Sequence, residues 1–276
     1  MSTIIVLTDF TASSRNALDY ACSFLPASTN ILLLNIYPTP FSYSGDGVAL
    51  ASIGDGWNQN QEELETELEW AHEKYPEHSI HYKEIMGELI PELEEEAADQ
   101  NAVMVITGNP DKGNGTRFWE IDILNMLTDL SLPVMVIPKN VQYRPVKNIG
   151  FAFKPENITN LTPIYSIEKL VRFTGAKLHI VKVLTKNVDQ SSMEQGETLL
   201  HEKLDTVDAM YHTVEADNIV AGITSFVQQY QIDILLIKPK KRGIWYRFFH
   251  KNHSRALAAL DMIPVIALHE KTISFT

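Results

Sequence analysis

The chain alternates short apolar, β-branched runs with longer stretches in which apolar residues return every three or four positions. The first pattern is that of buried strands, the second that of helices with one apolar face. Strands are predicted at Thr3–Thr8, Asn30–Tyr37, Ser79–Met86, Ala102–Thr107 and Pro133–Pro138, with helices at about 13–25, 59–75, 88–100 and 118–130 between them. The first helix opens on a Ser/Thr cluster in which Thr11 and Ser13 offer N-caps, and it turns Ala17, Ala21, Phe24 and Leu25 inward. The second places Leu64, Leu68, Ala71 and Tyr75 on one face.

The order then repeats. Strands are predicted at Asn148–Phe153, Lys177–Leu184, Asp208–Val214, Asp233–Ile237 and Pro264–Leu268, with helices at about 161–174, 192–205, 219–230 and 252–261. The halves close on similar runs, Leu132-Pro133-Val134-Met135-Val136-Ile137 and Ile263-Pro264-Val265-Ile266-Ala267-Leu268. This is an internal duplication of a βαβαβαβαβ unit. It predicts an α/β fold of two tandem doubly wound, Rossmann-like parallel-sheet domains, at 1–140 and 141–276, with right-handed crossovers. Such sheets take ligands at the carboxyl ends of their strands, near the point where strand order reverses. In the first half those positions are Thr8, Asp9 and Phe10, then Ile36, then Gly87, then Thr107, Gly108 and Asn109.

Charge separates the halves. The net of −12 over 276 residues divides into 6 basic and 22 acidic residues up to Asn140, against 17 basic and 13 acidic after it. An acid excess argues against non-specific nucleic-acid binding, which needs a basic face. One cysteine, Cys22 on an apolar helix face, excludes an intrachain disulfide and a cysteine-built zinc site. No basic segment precedes the first apolar run, and no apolar run approaches the roughly 20 residues of a membrane span, so a cytoplasmic protein without membrane contact is expected. The stretch from Pro38 to Trp57 carries Gly45-Asp46-Gly47 and Gly54-Asp55-Gly56 without the alternating acids and closing Glu of a calcium loop, and reads as a flap. The nine histidines are scattered, the closest pairs being His78/His81 and His250/His253. No motif for nucleophilic or acid–base catalysis is present, so no enzymatic activity is expected.

The first half resembles the universal stress protein family. Leu7-Thr8-Asp9-Phe10-Thr11 stands where the family's first strand ends in Val-Asp-Phe-Ser, and Leu33-Leu34-Asn35-Ile36 matches its Leu-Leu-His-Val. Gly87-Glu88 matches part of its Gly-Asp/Glu-Pro, and both Pro-Val runs match its last strand. The resemblance implies an adenine-nucleotide α-hydrolase-like fold in both halves, with the two fifth strands paired so that one chain forms a pseudo-dimer. It further implies ATP or another adenine nucleotide as ligand, Asp9 accepting from the adenine amino group. Members that bind ATP carry a Gly, two residues, a Gly, nine residues, then Gly-Ser/Thr after the fourth strand. Here Gly108, Gly113 and Gly115 come at other spacings, and the Gly-Ser position falls on Glu120-Ile121. In the second half Lys154 replaces the counterpart of Asp9, and a basic, aromatic stretch runs from Lys238 to Arg255 with Trp245, Phe248 and Phe249 as packing anchors.

These departures predict a stress-response protein with degenerate nucleotide motifs that works as a regulatory or interaction module. The alternative is a small-ligand or ATP-binding protein using the first-half cleft. Protein partners are expected but not identified by the sequence, and a further homodimer is compatible with it.

Overall fold

The computed structural model describes residues 2–37, 62–109, 123, 125–152, 164–185, 200, 202, 204, 206–239, 262–269 and 273. Among the described residues there are ten strands: β1 (Thr3–Leu7), β2 (Asn30–Tyr37), β3 (Ser79–Met86), β4 (Ala102–Gly108), β5 (Val134–Ile137), β6 (Asn148–Ala152), β7 (Lys177–Leu184), β8 (Ala209–Glu215), β9 (Ile234–Ile237) and β10 (Val265–Ala267). The helices are α1 (Ala12–Phe24), α2 over 62–74, α3 (Leu89–Asp99), α4 over 125–129, α5 (Ile164–Thr174) and α6 (Ile219–Gln229). Residues 200 and 202 are also helical. The expected flap, Lys154, the Glu120-Ile121 position, the helix expected at 252–261 and the basic stretch from Lys240 onward lie outside the described residues.

All ten strands form one sheet in the order β3-β2-β1-β4-β5-β10-β9-β6-β7-β8. Within each half the neighbours are parallel. The halves meet where β5 and β10 pair antiparallel, Val136 opposite Val265 and Val134 opposite Ala267. Each half is therefore a doubly wound unit, and the fifth strands fuse the two units edge to edge.

Alternation along the strands explains the layers. Ile4, Val6, Ile31 and Leu33 point to one face with Ile149, Phe151, Ile180 and Ile266, and α1, α2 and α5 cover it. Ile5, Leu7, Leu32, Val105 and Val181 point to the other, against α3, α4 and α6. Both apolar layers run without a break from one half into the other. On the first face Phe24 of α1 meets Phe173 of α5 edge to face at 5.4 Å, and Tyr143 of the linker packs edge-on against Tyr20 at 5.5 Å. Asn16 adds a polar tie, its amide donating to the carbonyls of Pro138 and Val141 at 3.0 Å each. Cys22 is buried in the same layer, where burial pushes its thiol up to about 12, which keeps it an inert apolar residue.

His269, just past β10, is drawn down to about 4 by burial, which outweighs the opposing pull of Glu94 and Asp129. Its neutral form is the one the fold accommodates, so its contribution to stability is full above its ordinary value of 6.5 and is lost as acid titrates it. Among the described residues no helix is long and apolar enough to cross a membrane.

A core continuous across the β5–β10 seam predicts one cooperative unfolding step. Ile266→Ala, at the seam, is expected to cost about 2–5 kcal/mol and to leave a single transition. Urea unfolding followed by both far-ultraviolet circular dichroism and tryptophan fluorescence checks this; two resolved transitions would contradict it.

Candidate functional site

In the first half the strand order turns back between β1 and β4, so the carboxyl ends of these strands splay apart and leave a crevice. A small cleft lies there, lined by Leu7, Asp9, Thr11, Ser13, Ser14, Thr107, Gly108 and Ile123. The cleft is partly open to solvent, and its described walls leave about 10 Å³ for water-sized groups.

The turn from β1 into α1 sets the geometry. Asp9 Oδ1 accepts from the Thr11 hydroxyl at 2.6 Å and from the Thr11 amide at 3.2 Å. Thr11 in turn is the N-cap of α1, its hydroxyl accepting from Ser14 N. Asp9 thus fixes the turn and Thr11 caps the helix. Among the described residues Asp9 Oδ2 has no hydrogen-bond partner. Between them Phe10 takes φ +59°, a left-handed conformation uncommon for a bulky side chain, and its ring packs on the α1/α2 layer.

The far wall is held close. Ser13 Oγ donates to the carbonyl of Asn109, and a Cβ at Gly108 would lie 2.4 Å from the Ser13 carbonyl oxygen. Glycine at 108 therefore serves the close approach of α1 to the end of β4, and any side chain there would push the helix away. Backbone pairing extends this wall, the amide of Asn109 donating to the Ile137 carbonyl at 2.8 Å.

The structure thus brings Asp9, Thr107 and Gly108 to the cleft, and places elsewhere the other expected residues that it describes. Thr8 turns its hydroxyl into the α1/α2 layer, and Asn109 lies behind Gly108, tied to Ser13 and Ile137. Ile36 is buried in the opposite apolar layer, and Gly87 continues the β2–β3 pairing at the sheet edge, donating to Tyr37. Gly113 and Gly115 lie outside the described residues. His78 and His81 form no metal centre: among the described residues no three His, Cys, Asp or Glu converge on a point.

One residue the apolar pattern concealed sits behind the cleft. Glu67 of α2 is fully buried, its Oε2 accepting from the Thr8 hydroxyl at 2.8 Å. Its Oε1 has no hydrogen bond and faces Arg15 Nε at 3.9 Å. The hydroxyls of Thr8, Ser14 and Thr11 stand in a row from Glu67 to Asp9, 3.3 Å and 3.5 Å apart. Burial raises the Glu67 carboxyl above the ordinary carboxylate range; the Thr8 hydrogen bond and Arg15 oppose this, while Asp9 and Glu63 reinforce it. Leu64, Glu67 and Ala71 share a helical face, so a carboxylate inside an apolar stripe was the signal in the sequence.

A mostly parallel sheet with alternating strands and helices and a switch point between β1 and β4 defines a Rossmann-like α/β protein. The model of the universal stress protein family matches residues 1–138, and the chain belongs to that family. Solved structures extend the likeness over both halves. A universal stress protein from Archaeoglobus fulgidus DSM 4304 is 14% identical with a TM-score of 0.62, covering 97% of this chain and 96% of that one. A functionally unknown protein from Pseudomonas aeruginosa PAO1 is 14% identical with a TM-score of 0.54, covering 98% and 92%. The cytoplasmic domain of a prokaryotic cation chloride cotransporter is 9% identical with a TM-score of 0.57, covering 98% and 96%. At these identities the likeness is one of fold. No curated protein matches the sequence.

A buried carboxyl whose titration is raised opposes folding once it ionises. The sign is that of a raised acid: stability falls as pH rises above its ordinary value of 4.5. Glu67→Gln is therefore expected to raise the unfolding midpoint at about pH 7 and to match the parent near pH 4. Thermal unfolding at the two pH values checks it; a variant less stable at neutral pH would show that the ionised Glu67–Arg15 pair supports the fold.

Proposed function

We propose that this protein is a cytoplasmic stress-response module that regulates or docks with protein partners and holds no ATP, its two family units replacing a dimer of single ones. The observation that carries the reading is the closed crevice. Ser13, Gly108 and Asn109 hold the ends of α1 and β4 together, and the described walls leave little room between them, where a ligand pocket needs about 300–1,000 Å³. The described lining offers a carboxylate and four hydroxyls but no lysine or arginine for a triphosphate. Glycine spacing after β4 and Lys154 in the second half support the same reading. It assigns no reaction to the protein.

The free Oδ2 of Asp9 favours a second reading, in which the first half holds a small ligand with N–H donors, an adenine nucleotide among them. Such a ligand would replace the Ser13–Asn109 bond with contacts of its own.

Thermal unfolding with ATP, ADP, AMP and a blank, with and without Mg²⁺, separates the two. The first reading predicts the same midpoint in all at millimolar nucleotide. A ligand at about 100 times its dissociation constant adds about 2.7 kcal/mol; a shift of that kind, abolished in Asp9→Asn, would establish the second reading instead.

A further inference from the structure

In the second half two histidines sit on neighbouring strands at the outer edge of the sheet. His179 of β7 lies opposite Met210, and His212 of β8 opposite Val181, so the two imidazoles are diagonal neighbours on one face. Their nitrogens approach to 3.1 Å, Nδ1 of His179 to Nε2 of His212. The ring centres are 5.2 Å apart with the planes within 14° of parallel. That separation is nearly the whole of the nitrogen–nitrogen distance with one ring radius added at each end, the largest value that distance allows. The two nitrogens therefore lie on the line joining the centres, the bond runs in the plane of both rings, and the contact is a hydrogen bond instead of a face-to-face stack.

The proton order follows from the neighbours. Asn148 of β6 donates its amide to the carbonyl of Gln231 at 3.2 Å, which turns its Oδ1 toward His179. His179 Nε2, 3.2 Å from that oxygen, must carry the proton. Neutral His179 then offers a lone pair at Nδ1, and His212 Nε2 must donate to it. Gln231, with φ +48°, ends α6 in a left-handed cap, the amide of Ile232 reaching back to Val227 at 3.0 Å. A chain of donors thus joins the edge strand β8 through β7 and β6 to the end of α6.

We propose that the His179–His212 pair is an acid-sensitive clasp on the edge strand β8. With one proton added, either ring can be the imidazolium and still donate to the other. Two added protons set an N–H against an N–H, with two positive charges in contact, and the clasp must open. The surroundings favour the neutral forms. Phe226 and Tyr230 of α6 pack on His212, Tyr230 at 3.9 Å between ring centres, and Tyr230 also flanks His179. Lys177 on β7 adds like charge, and Asn148 on β6 accepts without supplying a counter-charge. Burial lowers both histidines from 6.5, and His212 and Lys177 lower His179 further. The clasp is therefore intact above that value and is lost as pH falls through the lowered ones. Its loss leaves β8, which among the described residues pairs with β7 alone, held by backbone pairing.

Hydrogen exchange of the intact protein, corrected for intrinsic rates, tests this at about pH 7.5 and about pH 5. Amides of Ala209–Glu215 are expected to exchange about tenfold faster at the lower pH while β1 and β4 stay protected. His212→Gln keeps a donor for His179 and, once His179 is charged, can accept from it, so that difference should disappear. Imidazole nitrogen shifts should show both rings as Nε2–H tautomers at the higher pH. Equal acid acceleration in His212→Gln, no acceleration in the parent, or an Nδ1–H tautomer at His179 would each overturn the clasp.

Discussion

The antiparallel pairing of β5 with β10 is the contact on which the rest of the architecture depends. A five-stranded parallel unit has two exposed edges, and joining two such units edge to edge removes one from each. Because the seam is antiparallel, the strands of the two halves point in opposite directions. The carboxyl ends, where ligands enter such sheets, therefore open at opposite sides of the molecule, and neither crevice faces the other. The same seam aligns α1 with α5 on one face, which is why Phe24 and Phe173 meet.

Within that frame the first crevice shows how one set of residues serves packing at the expense of binding. Glycine after β4 and hydroxyls at the start of α1 are the residue types that phosphate sites use. Here Gly108 admits the Ser13 backbone and Ser13 bonds to Asn109, so these groups are occupied by one another. Asp9 spends one oxygen on its own turn. Behind it Glu67 stands where burial is unfavourable for a carboxylate, with one oxygen held by the Thr8 hydroxyl and the other facing Arg15.

Much of the fold was legible in the sequence. Runs such as Asn30–Tyr37 and Lys177–Leu184 are apolar enough that tertiary context could hardly redirect them, and the strands observed there keep those limits. The repeat and the switch point followed from the order of elements, and the pairing of the fifth strands from the family resemblance. The site was less legible because motif position does not tell which way a side chain turns. Thr8 and Asp9 are adjacent, yet the pleat sends one hydroxyl to Glu67 and leaves the next carboxylate at the cleft. Glu67 drew no attention in a helix crowded with acids, although it sits between Leu64 and Ala71 on the inner face. His179 and His212 lay in strands away from every motif, and pairing them required the register of β7 against β8.

The central claim is that the crevice between β1 and β4 is closed by its own residues. Backbone amide shifts of Thr8–Ser14 and Thr107–Asn109, recorded during titration with AMP and then ATP to millimolar concentration, test it most directly. The account predicts that these signals stay in place. Saturable shifts confined to those two segments would contradict it, and would mean that the contact between Ser13 and Asn109 opens to admit a ligand.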